Sequence, residues 1–268
     1  EAKPKTVASK LTGLQVLPEV NERQVTGVMI ENSPDSRPQS GLKEAGIVFE
    51  AIAEGGITRF LALFQDTESA YIGPIRSVRP YYIEWALPFD AALAHVGGSP
   101  DALAVIRSLG VKDLDEFANA KAYTRVTNRF APHNVYSSSA AFKELEDKKG
   151  FTKSTYTGFA RADKGTPSAQ INARSVDFDI SSALYDAHWD YDQASNGYNR
   201  SEGGKAHTDE KSGQPIHSKV VIALVTNKGI MSDGLHTTYT TTGSGKMYVF
   251  QNGVVAEGTW SKADSKSQ

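Results

Sequence analysis

Residues 47–64 read IVFEAIAEGGITRFLALF, and this stretch predicts the β-hairpin around which the first half of the chain is built. Two runs rich in β-branched and aromatic residues flank a Gly-Gly pair at 55–56, which supplies the positive φ that a tight hairpin turn needs. Side chains alternate between the two faces of a strand. Counting outwards from a two-residue turn therefore places Glu50, Glu54 and Arg59 on one face, with apolar side chains on the other.

The charged face of this hairpin has two interpretations. A cross-strand ion pair on a solvated face contributes well under about 1 kcal/mol and has no further role, which is the better explanation of Glu50. Glu54 lies at the turn and is the better functional candidate, as a catalytic base or a metal ligand. Arg59, diagonal to both carboxylates, is a candidate ligand-binding residue.

The strand before the hairpin ends in a loop dense in turn-forming residues. Residues 26–30 (TGVMI) form an apolar run typical of a buried strand, and residues 31–41 (ENSPDSRPQSG) follow it. In α/β sheets, a strand that ends in such a loop commonly presents ligand-binding groups. Asp35 is therefore a candidate catalytic residue and Arg37 a candidate ligand-binding residue.

A second loop after the hairpin carries a pair of arginines. Residues 71–80 read YIGPIRSVRP, so that Arg76 and Arg79 lie three residues apart between prolines. A fixed loop with two guanidinium groups is a plausible anion clamp, because arginine presents planar paired donors that match phosphate or carboxylate. The alternative is that both arginines hold loops together through salt bridges.

Two further segments supply histidines. The strand-like run at 90–96 leads into HVGGSPD at 95–101, where Ser99 is a good N-cap for a helix to residue 109, and Gly-Gly before a helix can offer backbone N–H groups to an anion. His95 is either a ligand contact or a packed, hydrogen-bonded histidine. His133-Asn134 lies in a polar loop, where it either orients a ligand or holds the loop together.

The composition changes after residue 151 to Thr, Ser, Gly and Ala, and the remainder predicts mostly strands, ending in a hairpin through Asn252-Gly253. We therefore expect a tether or wrapping arm at 1–24, an α/β (α+β) domain with a mixed central sheet at 25–155, and a smaller mostly-β domain at 156–268. The polar ends suggest a trimmed or spacer sequence at the start and a chain that continues beyond residue 268.

Composition excludes several classes of function. The 268 residues carry a formal net charge of -2, so that no strong general field favours nucleic acid or an anionic membrane surface. The chain has no cysteine, which excludes disulfides and thiol catalysis. The sequence contains no apolar run of the ~20 residues that span a bilayer, and its scattered His and Asp residues lack a metal-binding spacing, so that we predict no metal site.

Several blocks together resemble the YerB-like lipoproteins, a bacterial family of unknown function. In the first half these blocks are VMIEN at 28–32, RPQSGL at 37–42, EGGITR at 54–59, IGPIRSVR at 72–79, HVGGS at 95–99 and PHN at 132–134; in the second half they are YNR at 198–200, GG at 203–204 and HTD at 207–209. The resemblance covers nearly the whole chain. It implies an extracytoplasmic protein, membrane-anchored at an N-terminus that is missing here, and it implies no activity.

A fainter resemblance links the order of strand, Asp-Ser-Arg loop, hairpin and arginine loop to the LytR-CpsA-Psr phosphotransferases. This resemblance implies binding of a polyprenyl pyrophosphate by arginines at Arg37, Arg76 and Arg79, with Asp35 assisting a metal. The chain departs from the family's pattern where Ser77 follows Arg76, since the family has Arg-Asp there.

We therefore expect an anionic small molecule, such as a lipid phosphate or a cell-wall fragment, to bind in an arginine-lined pocket. The candidate ligand-binding residues are Arg37, Arg59, Arg76, Arg79, His95, Ser99, His133 and Asn134. Two alternatives stay open: a module that binds a protein partner through its C-terminal half, with a purely structural polar cluster, and a LytR-CpsA-Psr-like phosphotransferase or hydrolase. No cofactor is required, although Mg²⁺ held by Asp35 or Glu54 would suit the enzyme.

Overall fold

A computed structural model describes residues 5–161 and 165–268 of the chain. In the first half the strands and helices are β1 (Val7–Ala8), β2 (Gln15–Val16), β3 (Thr26–Glu31), β4 (Ile47–Ile52), β5 (Thr58–Phe64), α1 (Pro80–Ala86), β6 (Ala92–Ala94), α2 (Pro100–Leu109), β7 (Thr124–Arg125), β8 (Val135–Tyr136) and α3 (Ser139–Lys149). Short 3₁₀ helices lie at Pro18–Glu22, Pro34–Ser36, Leu87–Phe89 and Ala120–Ala122.

The second half consists of short strands. They are β9 (Ser175–Phe178), β10 (Ala187–Asp192), β11 (Gly197–Glu202), β12 (Lys205–Ala206), β13 (His217–Ser218), β14 (Val220–Leu224), β15 (Lys228–Ile230), β16 (Thr237–Tyr239), β17 (Gly243–Gln251) and β18 (Val254–Lys262). The predicted fold class is confirmed, because a mixed sheet with helices is followed by a part that is mostly strands.

The first half is built on a mixed sheet with the strand order β4-β5-β3-β6. The strand β3 pairs antiparallel with β5 and parallel with β6. Every residue of β3 and of β5 is buried, so that both faces of the sheet are covered. Met29, Leu61 and Leu63 pack on the face toward α1 and α2, whereas Val28 and Phe60 belong to the core on the opposite face.

The predicted ends of α2 are confirmed, and α3 begins and ends in the same way. Ser99 Oγ accepts a hydrogen bond from the Ala102 N–H at 3.3 Å, and Ser138 Oγ accepts one from the Ala141 N–H at 3.2 Å. Both helices end at a left-handed glycine, with φ of 64° at Gly110 and 75° at Gly150. Ser99 Oγ is therefore engaged as a helix cap, and the expectation that Ser99 also binds a ligand stays a prediction.

The predicted hairpin exists, but its register is shifted by one residue. The Ala53 N–H donates to the Ile57 carbonyl at 2.7 Å, so that the loop contains three residues and not two. Glu50 therefore pairs with Phe60, and Ala51 pairs with Arg59. The prediction that Glu50 and Arg59 share a face is wrong, because a one-residue slip moves every side chain of one strand to the other face.

Residues of the predicted arm pack against the first half. Leu11 is fully buried in the same core as Met29. Ser9 Oγ donates to Asp66 Oδ1 at 2.7 Å. Within the residues that the structure describes, no helix has the length and apolar character needed to cross a membrane.

The hairpin β15–β16 joins the second half to the first. Tyr239 Oη accepts the Ile52 N–H at 3.1 Å, and its ring lies 4.9 Å from that of Tyr81 on α1. Thr237 Oγ1 donates to the Ala53 carbonyl. A smaller core of Val176, Tyr198, Val221 and neighbouring side chains holds the rest of the second half together.

Candidate functional site

Three of the predicted residues form one compact cluster. Arg59 Nη2 lies 2.9 Å from Glu54 Oε2, and Arg79 Nε donates to Glu54 Oε1. Burial raises the pKa of Glu54, but the hydrogen bond from Arg79 and the charge of Arg59 outweigh it, so that the pKa lies below its usual value. Burial and the neighbouring Arg79 lower the pKa of Arg59. This group, named here the Glu54 cluster, is a desolvated ion triad.

One further donor of each arginine in the Glu54 cluster binds a backbone carbonyl. Arg59 Nη1 donates to the Ser77 carbonyl at 3.1 Å, and Arg79 Nη1 donates to the Val78 carbonyl at 2.6 Å. Both arginines are buried, with 6% of Arg59 and 7% of Arg79 exposed. These contacts are those expected of arginines that hold the loop at 77–79 against the sheet.

His95 and Asn134 also have internal partners. His95 is fully buried, with Nδ1 2.9 Å from the Gly97 carbonyl and Nε2 3.1 Å from Asp113 Oδ1. Burial raises the pKa of Asp113, but the hydrogen bond from His95 outweighs it and the pKa is lowered. Asn134 Nδ2 donates to the Val126 carbonyl at 3.2 Å, within its own loop. The structure thus favours the packed alternative for His95 and the loop-holding alternative for Asn134.

Glu31, the last residue of β3, organises another part of the site. His133 Nδ1 lies 2.9 Å from Glu31 Oε2, and Ser33 Oγ donates to Glu31 Oε1 at 3.0 Å. Arg76 Nε lies 3.5 Å from the same Oε1. Sequence reasoning missed Glu31, although its place at the end of a buried strand and before the Asp-Ser-Arg loop was a usable signal.

His133 also lines an open cleft of about 650 Å³. The cleft is lined by Asp35, Arg37, Asn128, Arg129, Phe130, Ala131, His133 and Glu210, so that both halves of the chain contribute. Phe130 is 91% exposed. Of the residues predicted from the sequence, the structure thus brings Asp35, Arg37 and His133 together and places the Glu54 cluster elsewhere.

Arg129 fixes one wall of this cleft, which is named here the junction cleft because both halves of the chain line it. Its Nη1 donates to the Asp35 carbonyl and its Nη2 to the Pro38 carbonyl, both at 2.9 Å. Its Nη2 also lies 3.6 Å from Glu210 Oε1. Arginine carries five N–H donors in total, so that these two backbone bonds leave others for a ligand.

Beneath the junction cleft lies a buried polar network that crosses between the halves of the chain. Asn32 Nδ2 donates to Thr58 Oγ1 at 2.7 Å and to Glu202 Oε1 at 2.5 Å. Asn32 Oδ1 accepts from Gln39 Nε2 at 2.7 Å and from Arg37 Nε at 3.2 Å. All four amide positions of Asn32 are therefore engaged, which holds its side chain in one orientation.

Arg200 is the cation at the centre of this network. Its Nη2 lies 2.7 Å from Glu50 Oε2 and 3.4 Å from Glu202 Oε1. Its guanidinium carbon lies 5.3 Å from the centre of the Phe60 ring and 5.7 Å from that of Trp189, within the range of cation–π attraction. Burial raises the pKa of Glu50, a rise that Arg200 opposes and Glu202 reinforces.

His207 completes the network as a neutral side chain. Its Nδ1 accepts from Arg200 Nη1 at 2.5 Å, and its Nε2 donates to Gln39 Oε1 at 2.8 Å. Burial and the adjacent Arg200 charge lower the pKa of His207 well below its ordinary value. Together with Arg37, which donates to the Leu184 carbonyl at 2.8 Å, these contacts join the two halves.

In residues 5–161 and 165–268, no three His, Cys, Asp or Glu side chains are grouped so that they could hold a metal ion. Asp35 lies at the junction cleft and Glu54 in its own cluster. The expectation of Mg²⁺ at either residue stays a prediction.

Comparison with known proteins matches most of the chain to the two domains of one family. Residues 11–152 match the N-terminal domain and residues 176–268 the C-terminal domain of the family described as "Protein of unknown function (DUF3048)". The "Putative lipoprotein YerB" of Bacillus subtilis is 31% identical over 266 residues, which are 98% of this chain and 80% of that protein. The crystal structure of Bacillus subtilis YerB matches with a TM-score of 0.85 and 30% identity, over 97% of this chain and 89% of that one.

Proposed function

The chain belongs to the DUF3048 family of YerB-like proteins, and from this premise we propose that it is a cell-envelope lipoprotein that binds an anionic ligand of the envelope in the junction cleft. The relative named as a lipoprotein supports an extracytoplasmic location with an N-terminal membrane anchor. In this proposal the anchored protein presents the cleft to wall polymers or to lipid headgroups.

The observation that carries the proposal is the set of side chains around the cleft. Arg37, Arg129 and His133 bring cationic or hydrogen-donating groups to one place, and planar guanidinium groups suit phosphate or carboxylate oxygens. The exposed ring of Phe130 offers an apolar surface beside them. Asp35 and Asn128 can pair with hydroxyl groups, so that the cleft suits a sugar phosphate or an acidic wall glycan fragment.

The Glu54 cluster does not belong to this proposal. Its arginines do not line the junction cleft, and they are bonded to Glu54 and to the backbone, which together favour the structural role in the interaction-module alternative. The phosphotransferase alternative needs Arg37, Arg76 and Arg79 on one phosphate. To reach it, Arg79 would have to leave Glu54, and Arg76 would have to leave Glu31.

Thermal shift and calorimetry with glycerol 3-phosphate, N-acetylmuramic acid and inorganic phosphate test the proposal. We expect binding to the wild type, and affinity for N-acetylmuramic acid on the order of 2- to 10-fold weaker in Phe130→Ala, because the apolar face of the sugar ring loses its contact with the phenyl ring and each buried CH₂ group contributes about 0.8 kcal/mol. Phe117→Ala removes another exposed phenylalanine, 73% exposed and outside the cleft lining, and serves as the matched control. Equal affinity of the two variants, or no binding of any probe, contradicts the proposal.

A further inference from the structure

His133 and Glu31 form a carboxylate–imidazole pair at the wall of the junction cleft. Glu31 is 4% exposed, and its Oε2 lies 2.9 Å from His133 Nδ1. A carboxylate only accepts hydrogen bonds, so that Nδ1 carries the proton of this contact, and in the neutral imidazole Nε2 then carries the lone pair. Nε2 makes no hydrogen bond to any residue in 5–161 or 165–268, and the side chain is 21% exposed at the cleft.

The orientation of this pair is held by further contacts. Ser33 Oγ donates to the other oxygen of Glu31, and Arg76 lies beside it, so that the carboxylate is fixed. The His133 N–H donates to the Phe130 carbonyl at 2.9 Å, which fixes the backbone of the loop. An imidazole held at Nδ1 by a buried carboxylate and open at Nε2 has the arrangement of a general base.

We propose that the junction cleft hydrolyses a phosphodiester, with His133 as the general base and Glu31 as its positioning residue. This inference rests on the proposed function, because the anionic phosphodiester is the ligand that Arg37 and Arg129 would hold. It adds a reaction to what was proposed there as a binding site.

The reaction balances with water as the co-reactant. Nε2 of His133 takes a proton from water as the water oxygen bonds to phosphorus. The bond from phosphorus to the leaving oxygen breaks on the opposite side of phosphorus, that oxygen takes a proton from solvent water, and Nε2 returns its proton to the solvent. The products are a phosphomonoester and an alcohol. The guanidinium groups of Arg37 and Arg129 stabilise charge on the other phosphate oxygens.

The test measures p-nitrophenolate release from bis(p-nitrophenyl) phosphate by the wild type, His133→Asn, Glu31→Gln and the control His188→Asn. His188 is a histidine flanked by Asp177 and Asp190 on the second-half sheet, so that it reports nonspecific imidazole catalysis. We expect loss of about 100-fold or more in His133→Asn, as is typical when a general base is removed, and wild-type rates in His188→Asn. Glu31→Gln should shift the pH–rate profile, which a merely structural change would not do.

Binding of dimethyl phosphate, measured by thermal shift, shows whether a negative result concerns only the hydrolysis or the binding site as well. Stabilisation of wild type and His133→Asn by dimethyl phosphate, without release of p-nitrophenolate by the wild type, overturns the catalytic role and leaves the binding site. Equal release by wild type and His133→Asn also overturns it. No stabilisation and no release overturn both proposals. A melting temperature of Glu31→Gln near that of the wild type, with a changed pH–rate profile, supports the pair even if His133→Asn folds poorly.

Discussion

Arg200 of the second half donates to Glu50 of the first-half sheet at 2.7 Å, and both side chains lie beneath the junction cleft. The side chain of Arg200 is 3% exposed, and Glu202, 2% exposed, is the other carboxylate within its reach. This buried cation joins the two halves, because Arg200 and Glu202 belong to the second half and Glu50 to the first. Removing one partner from such a group is costly, because the other charges stay buried and uncompensated.

Arg200→Met should therefore destabilise the protein by about 3–5 kcal/mol. The hydrophobic replacement keeps contact with Phe60 and Trp189 but leaves Glu50 and Glu202 without their shared cation. Urea unfolding of the variant measures the loss. Adding Glu50→Gln to Arg200→Met should recover part of it, and a double variant no more stable than the single one would contradict this explanation.

Because His207 is buried in the network, we expect the free energy of unfolding to fall at acid pH. The pKa of His207 is lowered below its ordinary 6.5, so that the unfolded chain binds a proton more readily than the folded one. This contribution to stability is complete above pH 6.5 and is lost as the pH falls below it. The raised pKa of Glu50 acts in the opposite direction, because its protonation at low pH favours the folded state.

His207→Gln should reduce the loss of stability below pH 6.5, because the amide does not titrate and can still donate toward Gln39. Unfolding free energies of the wild type and variant from pH 8 to pH 5 measure the effect. His188→Gln on the second-half sheet is a control of opposite sign: the hydrogen bond with Asp177 raises the pKa of His188, so that its removal should deepen the loss of stability at low pH. Curves that stay parallel through this range would show that His207 does not cause the acid sensitivity.

A second buried carboxylate predicts loss of stability at high pH. Burial raises the pKa of Glu146 to about 7, although Thr26 Oγ1 donates to its Oε1 at 2.7 Å. A group whose folded pKa is raised contributes stability that is lost as the pH rises through that value. Glu146→Gln should therefore be more stable than the wild type at pH 8.5, by on the order of 1–3 kcal/mol, and should show no gain at pH 5. Thermal unfolding at both pH values measures this, and a gain that is equal at both would contradict it.

A substitution in the Glu54 cluster should change the stability of the protein without changing ligand binding. Arg79→Ala should lower the melting temperature, because Glu54 loses the arginine that donates to its Oε1. Only the ion pair between Arg59 and Glu54 then remains. The size of the stabilisation by an anionic probe should be unchanged, since neither residue lines the junction cleft. Thermal shift of the variant with and without glycerol 3-phosphate measures both quantities. If a folded variant were no longer stabilised by the ligand, the Glu54 cluster would be part of the binding site.

Local features of the fold were predictable from the sequence. Ser99 caps its helix as expected, and that helix ends at residue 109 as expected, because these signals act within a few residues. The hairpin was found but its register was not. A Gly-Gly pair allows either a two-residue or a three-residue loop, and the pairing of Ala53 with Ile57 is decided by packing across the sheet.

The candidate site was less predictable, because it depends on which loops meet. Asp35, Arg37 and His133 were named from the sequence and lie at one cleft, but Arg129 and Glu210 were not named. The ion-pair partner of Glu50, Arg200, lies 150 residues away in the chain. No local pattern indicates such a pairing, so that Glu50 was interpreted as a solvated charge when it is a member of a buried network.

The buried network also constrains how the sequence of this family can change. Arg200, Glu50, Glu202 and His207 satisfy one another, so that a change at one position leaves a charge or a hydrogen-bonding group without its partner. Evolution at this place must therefore proceed by compensated sets of substitutions. Among relatives, these four positions should be replaced together or kept together, whereas the exposed Phe130 at the mouth of the cleft is free to vary with the ligand.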